Sequence, residues 1–289
     1  MGEGRAWRTA GGPVVLDRSR VVGILNITPD SFWPDSRTPS ADAAAARAER
    51  MLEAGADLLD VGGESTRPGA RPVEAAEEIA RIIPVIERLS RAWPAVPLSV
   101  DTTKSEVAAA ALDAGAWIIN DVSGLRLDPR LAGAIAERRA GVVLMHSRGG
   151  ISEMATYETA NYGPDPVGEV VAELGQSVRW ATAAGVPDDA IVVDPGLGFA
   201  KRTAHSIACL ARLDRLVALG RPVLVGPSRK RFVGELAGPG GPLPAELRVE
   251  GTIAACVVAR LRGASLFRVH DVAEVRRALA VADAIAAVA

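Results

Sequence analysis

Eight short apolar runs in this 289-residue chain each end abruptly in polar or charged residues, with helix-like stretches between them. The run-ends read Val22-Gly-Ile-Leu-Asn26, Leu58-Leu-Asp60-Val-Gly-Gly-Glu64, Leu98-Ser-Val-Asp101 and Trp117-Ile-Ile-Asn120-Asp121. They continue with Val142-Val-Leu-Met-His146, Ile191-Val-Val-Asp194, Val223-Leu-Val-Gly-Pro-Ser228-Arg229-Lys230 and Leu266-Phe-Arg268-Val-His270. A strand covered on both faces stays apolar along its length. Only where it leaves the core can an Asp, Asn, Lys or His project without heavy desolvation. Eight such exits, always at the C-terminal end, predict an α/β fold of one kind, a (β/α)8 TIM barrel with its site at the top face.

The segments between the runs agree. Apolar residues recur at about 3.6 spacing over 41–54, 73–89, 105–114, 166–184, 206–219, 245–261 and 272–288, with a shorter helix near 129–139. Gly55, Gly115, Gly141, Gly185, Gly220 and Gly263 precede strands and are expected to end helices in the left-handed conformation. A doubly wound open sheet competes, but it gives no reason for eight units with polar exits from nearly all of them. Residues 13–17 read as a short N-terminal strand before the barrel, covering its bottom. Residues 1–12 read as a flexible N-terminus, and 13–289 as a single domain. The long loops 26–40, 62–72, 146–165 and 226–244 all fall on the catalytic face, where loop length signals function.

Composition narrows the partners. A net charge of −2 and a pI near 6.0 give no footprint for nucleic acid or an anionic membrane. No apolar stretch reaches 18 residues and no secretory leader pattern opens the chain, which predicts a cytoplasmic protein. Cys209 and Cys256 lack metal-ligand spacing and read as buried free thiols. Any anionic ligand must therefore be held by local groups.

Asp101, Asn120 and Asp194 each terminate a different strand and are expected to point into the barrel mouth. A carboxylate accepts paired donors and an amide both donates and accepts, a set that matches a planar heterocycle with adjacent N–H, NH2 and C=O groups. As single residues the aspartates would equally serve as helix or turn caps. Ser228-Arg229-Lys230-Arg231 follows strand seven and Arg268-Val-His270 follows strand eight, the usual anion end of such barrels. Asn26 can offer a carbonyl oxygen to a hydrated divalent ion completed by substrate phosphates. The glycine-flanked 62–69 loop carries a hydroxyl and an Arg suited to a second anionic substrate. His146 reads as structural or catalytic with equal weight, and His205 as surface. Dinucleotide, Walker, zinc-protease and nucleophile-elbow motifs are absent.

Taken as a set, these segments resemble the dihydropteroate synthase family. The resemblance rests on Gly23-Ile-Leu-Asn-Ile-Thr-Pro-Asp-Ser-Phe32, Asp60-Val-Gly-Gly-Glu-Ser-Thr-Arg-Pro-Gly69, Asn120-Asp-Val-Ser-Gly124 and Leu144-Met-His146. It continues through Asp194-Pro-Gly-Leu-Gly-Phe199, Val225-Gly-Pro-Ser-Arg-Lys-Arg-Phe-Val-Gly234, Glu250-Gly-Thr252 and Arg268-Val-His-Asp-Val272, in the family's order from residue 21 to about 275. It implies a pterin-binding barrel that condenses 6-hydroxymethyl-7,8-dihydropterin diphosphate with 4-aminobenzoate, using Mg²⁺, in a homodimer.

By this resemblance Asp101, Asn120, Met145, Asp194, Gly198, Phe199 and Lys230 hold the pterin. Asn26, Arg268 and His270 hold diphosphate, with Asn26 on the metal, and Phe32, Thr66, Arg67, Pro68 and Ser228 form the 4-aminobenzoate site. Asp101, Lys230, Arg268 and His270 carry the catalytic roles. Two alternatives are a non-catalytic pterin-binding paralogue and a pterin-dependent methyltransferase. The chain departs from the family at Trp33-Pro-Asp-Ser-Arg37, where Asp-Gly-Gly is usual, at Ala200 in place of a Gly, and at Ser147-Arg148. Ala200 implies either an ordinary backbone conformation or a small strain. The aminobenzoate region lacks the additional Phe-Gly pair of drug-insensitive relatives, so sulfonamides are expected to bind as aminobenzoate mimics.

Overall fold

The computed structural model of the chain describes residues 6–27, 41–65, 72–238 and 240–288. Its eight barrel strands are β3 (Arg20–Asn26), β4 (Leu58–Gly62), β5 (Leu98–Asp101), β6 (Ile118–Asp121), β7 (Gly141–Met145), β8 (Ile191–Asp194), β9 (Leu224–Val225) and β10 (Leu266–Val269). All pair in parallel in the order β8-β7-β6-β5-β4-β3-β10-β9, and a bridge between Val193 and Val223 closes the ring. The predicted (β/α)8 barrel is therefore the observed one.

Helices alternate with these strands: α1 (Ala41–Glu53), α2 (Ala75–Ala92), α3 (Ser105–Asp113), α4 (Leu131–Glu137) and α5 (Pro166–Ala183). After β8 come α6 (Thr203–Ala211) and α7 (Asp214–Val217), then α8 (Arg231–Ala237), α9 (Val249–Leu261) and α10 (Val272–Ala286). Two differences from the sequence reading appear here. The single helix expected over 206–219 breaks at Arg212–Leu213, and α8 lies inside the 226–244 segment read as loop. A seven-residue helix offers too few turns for a 3.6 period to show.

The N-terminal segment differs as well. Ala6–Trp7 (β1) pairs antiparallel with Val14–Val15 (β2), so structure begins before residue 13. Trp7 is 1% exposed and plugs the barrel floor against Val22, Leu58, Val143 and Leu224, donating its indole N–H to the Ala190 carbonyl at 2.8 Å. Gly141 is the glycine that does not end a helix. Its place is taken by Arg139 at φ 53, while a Cβ on Gly141 would meet the Arg8 carbonyl oxygen at 3.0 Å. The glycine admits the N-terminal hairpin, whereas Gly55, Gly115, Gly185, Gly220 and Gly263 take the expected positive φ.

Candidate active site

At the C-terminal ends of the strands a carboxylate–guanidinium network occupies the barrel mouth. Register places Asn26 beside Gly62, Gly62 beside Asp101, and Asp101 beside Asn120, so neighbouring strand ends present their side chains at one level. Arg268, near the end of β10, donates from Nε to Asp60 Oδ2 at 2.6 Å and from Nη2 to Asp101 Oδ2 at 2.8 Å. Asn120 Nδ2 donates to the same Asp60 oxygen at 3.2 Å. The sequence reading placed Arg268 with the diphosphate and Asp101 with the pterin; the structure joins the two directly.

Asp60 is the member that sequence reasoning left out of the site. It is 1% exposed and its Oδ1 has no hydrogen-bond partner. Its position two residues before the end of β4 was the available signal, because an Asp inside an otherwise apolar strand must be paired. Asp194 is buried at the end of β8, where its Oδ1 accepts from the Gly196 N–H at 2.7 Å. Lys230 extends over the Phe199 ring, with Nζ 3.6 Å from the centroid, and Gly198 leaves room for its methylenes. Met145 and Phe199 join Val122 and Met154 in a small apolar wall. Met154, from the long loop after β7, is the contribution no motif announced.

On the anion side Ser228 and His270 form one unit. The Ser228 hydroxyl accepts from the His270 backbone N–H at 3.1 Å and stands 3.0 Å from Nδ1. The hydroxyl has a proton to donate to Nδ1 and a second lone pair to accept from it, so this contact suits either neutral tautomer of the ring. Ser228, assigned to the aminobenzoate site, thus also orients the His270 ring. Arg229 sits at φ 56 and is held from behind by a bidentate pair with Asp271 at 2.6 and 3.0 Å.

Charge in the mouth is balanced under low solvation. Burial pushes the Asp194 carboxyl up to about 6, and it raises Asp101 too, where the Arg268 guanidinium opposes the rise. Burial and the nearby Arg268 hold the Lys230 ammonium down to about 7. Burial, with Arg268 and Arg229, holds the His270 imidazole at about 3, so it is a neutral N–H donor. The arrangement supplies acceptors for a donor-rich heterocycle beside two cationic side chains and a neutral imidazole for an anion.

His146 is buried, unlike a free strand-exit histidine. Its Nε2 meets Glu173 at 3.0 Å and its Nδ1 meets Lys201 at 2.7 Å. His205 lies edge-on to Tyr162, with ring centroids 4.7 Å apart. Ala200 sits at φ 46, so of the two possibilities it takes the strained one. Cys209 and Cys256 are buried and unpaired, as read from the sequence. Phe32, Thr66, Arg67 and Pro68 lie outside the described residues, as do residues 33–37. Among the described residues no group of three or more His, Cys, Asp or Glu could hold a metal ion, and no helix is long and apolar enough to cross a membrane.

The family model described as "Pterin binding enzyme" matches residues 22–270. Dihydropteroate synthase from Bacillus subtilis is 42% identical over 268 residues, 93% of this chain and 89% of the relative. A Mycobacterium leprae relative named inactive dihydropteroate synthase 2 is 41% identical, over 93% of this chain and 91% of its own. The solved Xanthomonas albilineans dihydropteroate synthase with 4-aminobenzoic acid superposes with a TM-score of 0.90 at 48% identity, covering 99% of this chain and 100% of that one. The Yersinia pestis synthase with a sulfonamide drug gives a TM-score of 0.89 at 38% identity, over 98% of this chain and all of the other.

Proposed function

The chain belongs to the pterin-binding enzyme family, and from that membership and the geometry of the barrel mouth we infer its reaction. It is a dihydropteroate synthase, a transferase of folate biosynthesis. It condenses 6-hydroxymethyl-7,8-dihydropterin diphosphate with 4-aminobenzoate to give 7,8-dihydropteroate and diphosphate. The observation that carries the residue assignments is the convergence of Asp101, Asn120, Asp194 and Lys230 on one end of the barrel, beside Arg268 and His270.

In the reaction the C–O bond to diphosphate breaks and a C–N bond to the arylamine forms, with one proton leaving the nitrogen. Asp101 and Asp194 accept the pterin's N–H groups and so favour the electron-rich ring that delocalises positive charge on the exocyclic carbon. Asn120 and Lys230 complete the in-plane contacts, and Met145, Gly198 and Phe199 wall the ring. Arg268 and the His270 imidazole face the departing anion. The arylamine is already nucleophilic, so no strong base is needed. Phe32, Thr66, Arg67, Pro68 and Ser228 are assigned to the 4-aminobenzoate side.

Mg²⁺ fits as an ion carried in with the diphosphate. Asn26 offers a hard amide oxygen at the end of β3, facing Gly62, where a Cβ would lie 3.8 Å from that oxygen. When bound, the ion supplies positive charge to the leaving group. A homodimer through α9 and α10 accords with the exposed Val258, Leu261, Val281 and Ile285 on those helices. The unpaired cysteines suit a reducing, cytoplasmic setting.

The test follows dihydropteroate and diphosphate together in a steady-state assay with both substrates and Mg²⁺. Equal production of the two, lost in Arg268→Ala and Asp101→Ala, is expected. A sulfonamide should compete with 4-aminobenzoate in the same assay. Pterin binding without aminobenzoate-dependent diphosphate release would place the chain with its non-catalytic relatives instead.

A further inference from the structure

Lys201 is a fully buried cationic side chain beside the mouth with no part in the reaction as inferred. It is 1% exposed. Its ammonium carries three protons and stands before three acceptors: His146 Nδ1 at 2.7 Å, the Phe199 carbonyl at 3.1 Å and the His146 carbonyl at 3.4 Å. A buried ammonium survives only when its donors are spent in this way. The acceptors belong to two segments, the end of β7 and the turn after β8. Those segments also supply Met145 and Phe199, the two side chains of the proposed pterin wall.

The turn needs this support. Gly196 passes so close to His146 that a Cβ would lie 2.0 Å from its carbonyl oxygen. Ala200, next to Lys201, holds a left-handed φ of 46 that a non-glycine residue adopts only under strain, and its N–H bonds to the Met154 carbonyl at 2.6 Å. His146 passes the interaction outward. Its Nδ1 accepts from Lys201, so the proton sits on Nε2 and is donated to Glu173 at 3.0 Å. Arg148 anchors Glu173 from the far side.

We propose that Lys201, acting through His146 and the Phe199 carbonyl, is a positioning residue for the pterin half of the reaction. It locks the turn that carries Asp194, Gly198 and Phe199 against the end of β7. This rests on the dihydropteroate synthase reading. The electrostatic surroundings accord with it: Asp194, Glu173 and Cys209 favour the ammonium, while Arg148 opposes it and Lys201 in turn bears on Lys230 and His205. Burial brings Lys201 down to about 8, and burial with Lys201 brings the His146 imidazole down to about 4. The lysine therefore loses its proton on the alkaline side of neutrality, while the histidine stays neutral throughout.

The experiment compares the full-length wild type with Lys201→Met and Glu173→Gln. It measures KM for each substrate from pH 6.5 to 9.5 and calorimetric binding of 6-hydroxymethylpterin. Lys201→Met should raise the pterin KM and Kd on the order of tenfold and move the 4-aminobenzoate KM less than about twofold. Lys230, held at about 7, gives an alkaline limb that wild type and variant share; wild-type pterin affinity should weaken further as pH rises through about 8, a second limb absent from the variant. Glu173 lies at the outer, half-exposed end of the chain and is the variant to rely on if Lys201→Met fails to fold. Neutralising it removes support for the ammonium, so the second limb should shift to lower pH. An equal rise in both KM values, or a limb near pH 8 unchanged in both variants, would overturn the proposal. The calorimetric arm is independent of turnover. A wild type that binds pterin but makes no dihydropteroate would sink the reaction reading while still testing Lys201.

Discussion

Arg268 is shared between two carboxylates, and only one of them, Asp101, is assigned to the pterin. Asp60 lies deeper in β4 and sets the angle from which the guanidinium leaves the barrel wall. Replacing it with Asn removes a buried charge-assisted bond of about 1.5–3 kcal/mol and lets Arg268 collapse onto Asp101. Asp60→Asn should therefore lower kcat/KM for the pterin substrate about ten- to hundredfold. An unchanged kcat/KM would show that Asp101 alone positions the arginine. Asp194 yields a prediction with the opposite sign for stability. Its carboxyl sits at about 6 in the folded protein against an ordinary 3.8, so the folded state binds more protons between those values. Stability then falls as pH rises from about 4 to about 6, and the full penalty remains at pH 7. Asn does not titrate and keeps an acceptor for the Gly196 N–H. Asp194→Asn should be more stable at pH 7 by about 3 kcal/mol, read as a raised Tm, with the gap closing toward pH 4. Its pterin binding should be lost. Thermal melts at the two pH values decide the matter. At this scale Asp101, Asn120 and Asp194 were legible because each ends an apolar run. Lys201 was not, since a Lys-Arg pair after a glycine-rich turn reads as solvated surface; only the long-range contact with His146 buries it.

The strand–helix alternation was the most readable level of this chain, because eight apolar runs and recurring helix-ending glycines repeat one local rule. The exceptions are elements whose existence depends on tertiary contact. The strand Ala6–Trp7 has two residues and no period, yet it is fixed by Trp7 filling the barrel floor and by the close passage at Gly141. The helix Arg231–Ala237 begins at Lys230 without a capping side chain, so no start signal marks it. The floor plug is energetically separate from the mouth. Trp7→Ala removes a fully buried indole and its bond to the Ala190 carbonyl, which should cost about 3–5 kcal/mol. A Tm lowered by roughly 10 °C with unchanged KM values at a permissive temperature is expected. A change in either KM would show that the floor communicates with the catalytic face.

At the scale of the whole molecule the described site residues lie at one end of the barrel, whereas four exposed apolar side chains lie together on α9 and α10. Val258 and Leu261 on α9 are 44% and 52% exposed, and Val281 and Ile285 on α10 are 62% and 52% exposed. The two helices pack side by side, so these residues belong to neighbouring outer faces. Isolated apolar surface residues need no explanation, but four on adjacent helices form a patch of the kind that a second copy covers. A twofold interface presents the same patch from both subunits, so one charge introduced at its centre is duplicated and buried against itself. Val281→Glu combined with Val258→Glu should convert a dimer of this 30.0 kDa chain to monomer in sedimentation equilibrium. Because Asp101, Asn120, Asp194, Lys230, Arg268 and His270 converge within one barrel mouth, the monomer should keep its KM for both substrates. Loss of activity in parallel with dimer dissociation would instead assign the partner a share of the site. A wild type that sediments as monomer would leave the α9–α10 face without the occupant assigned to it.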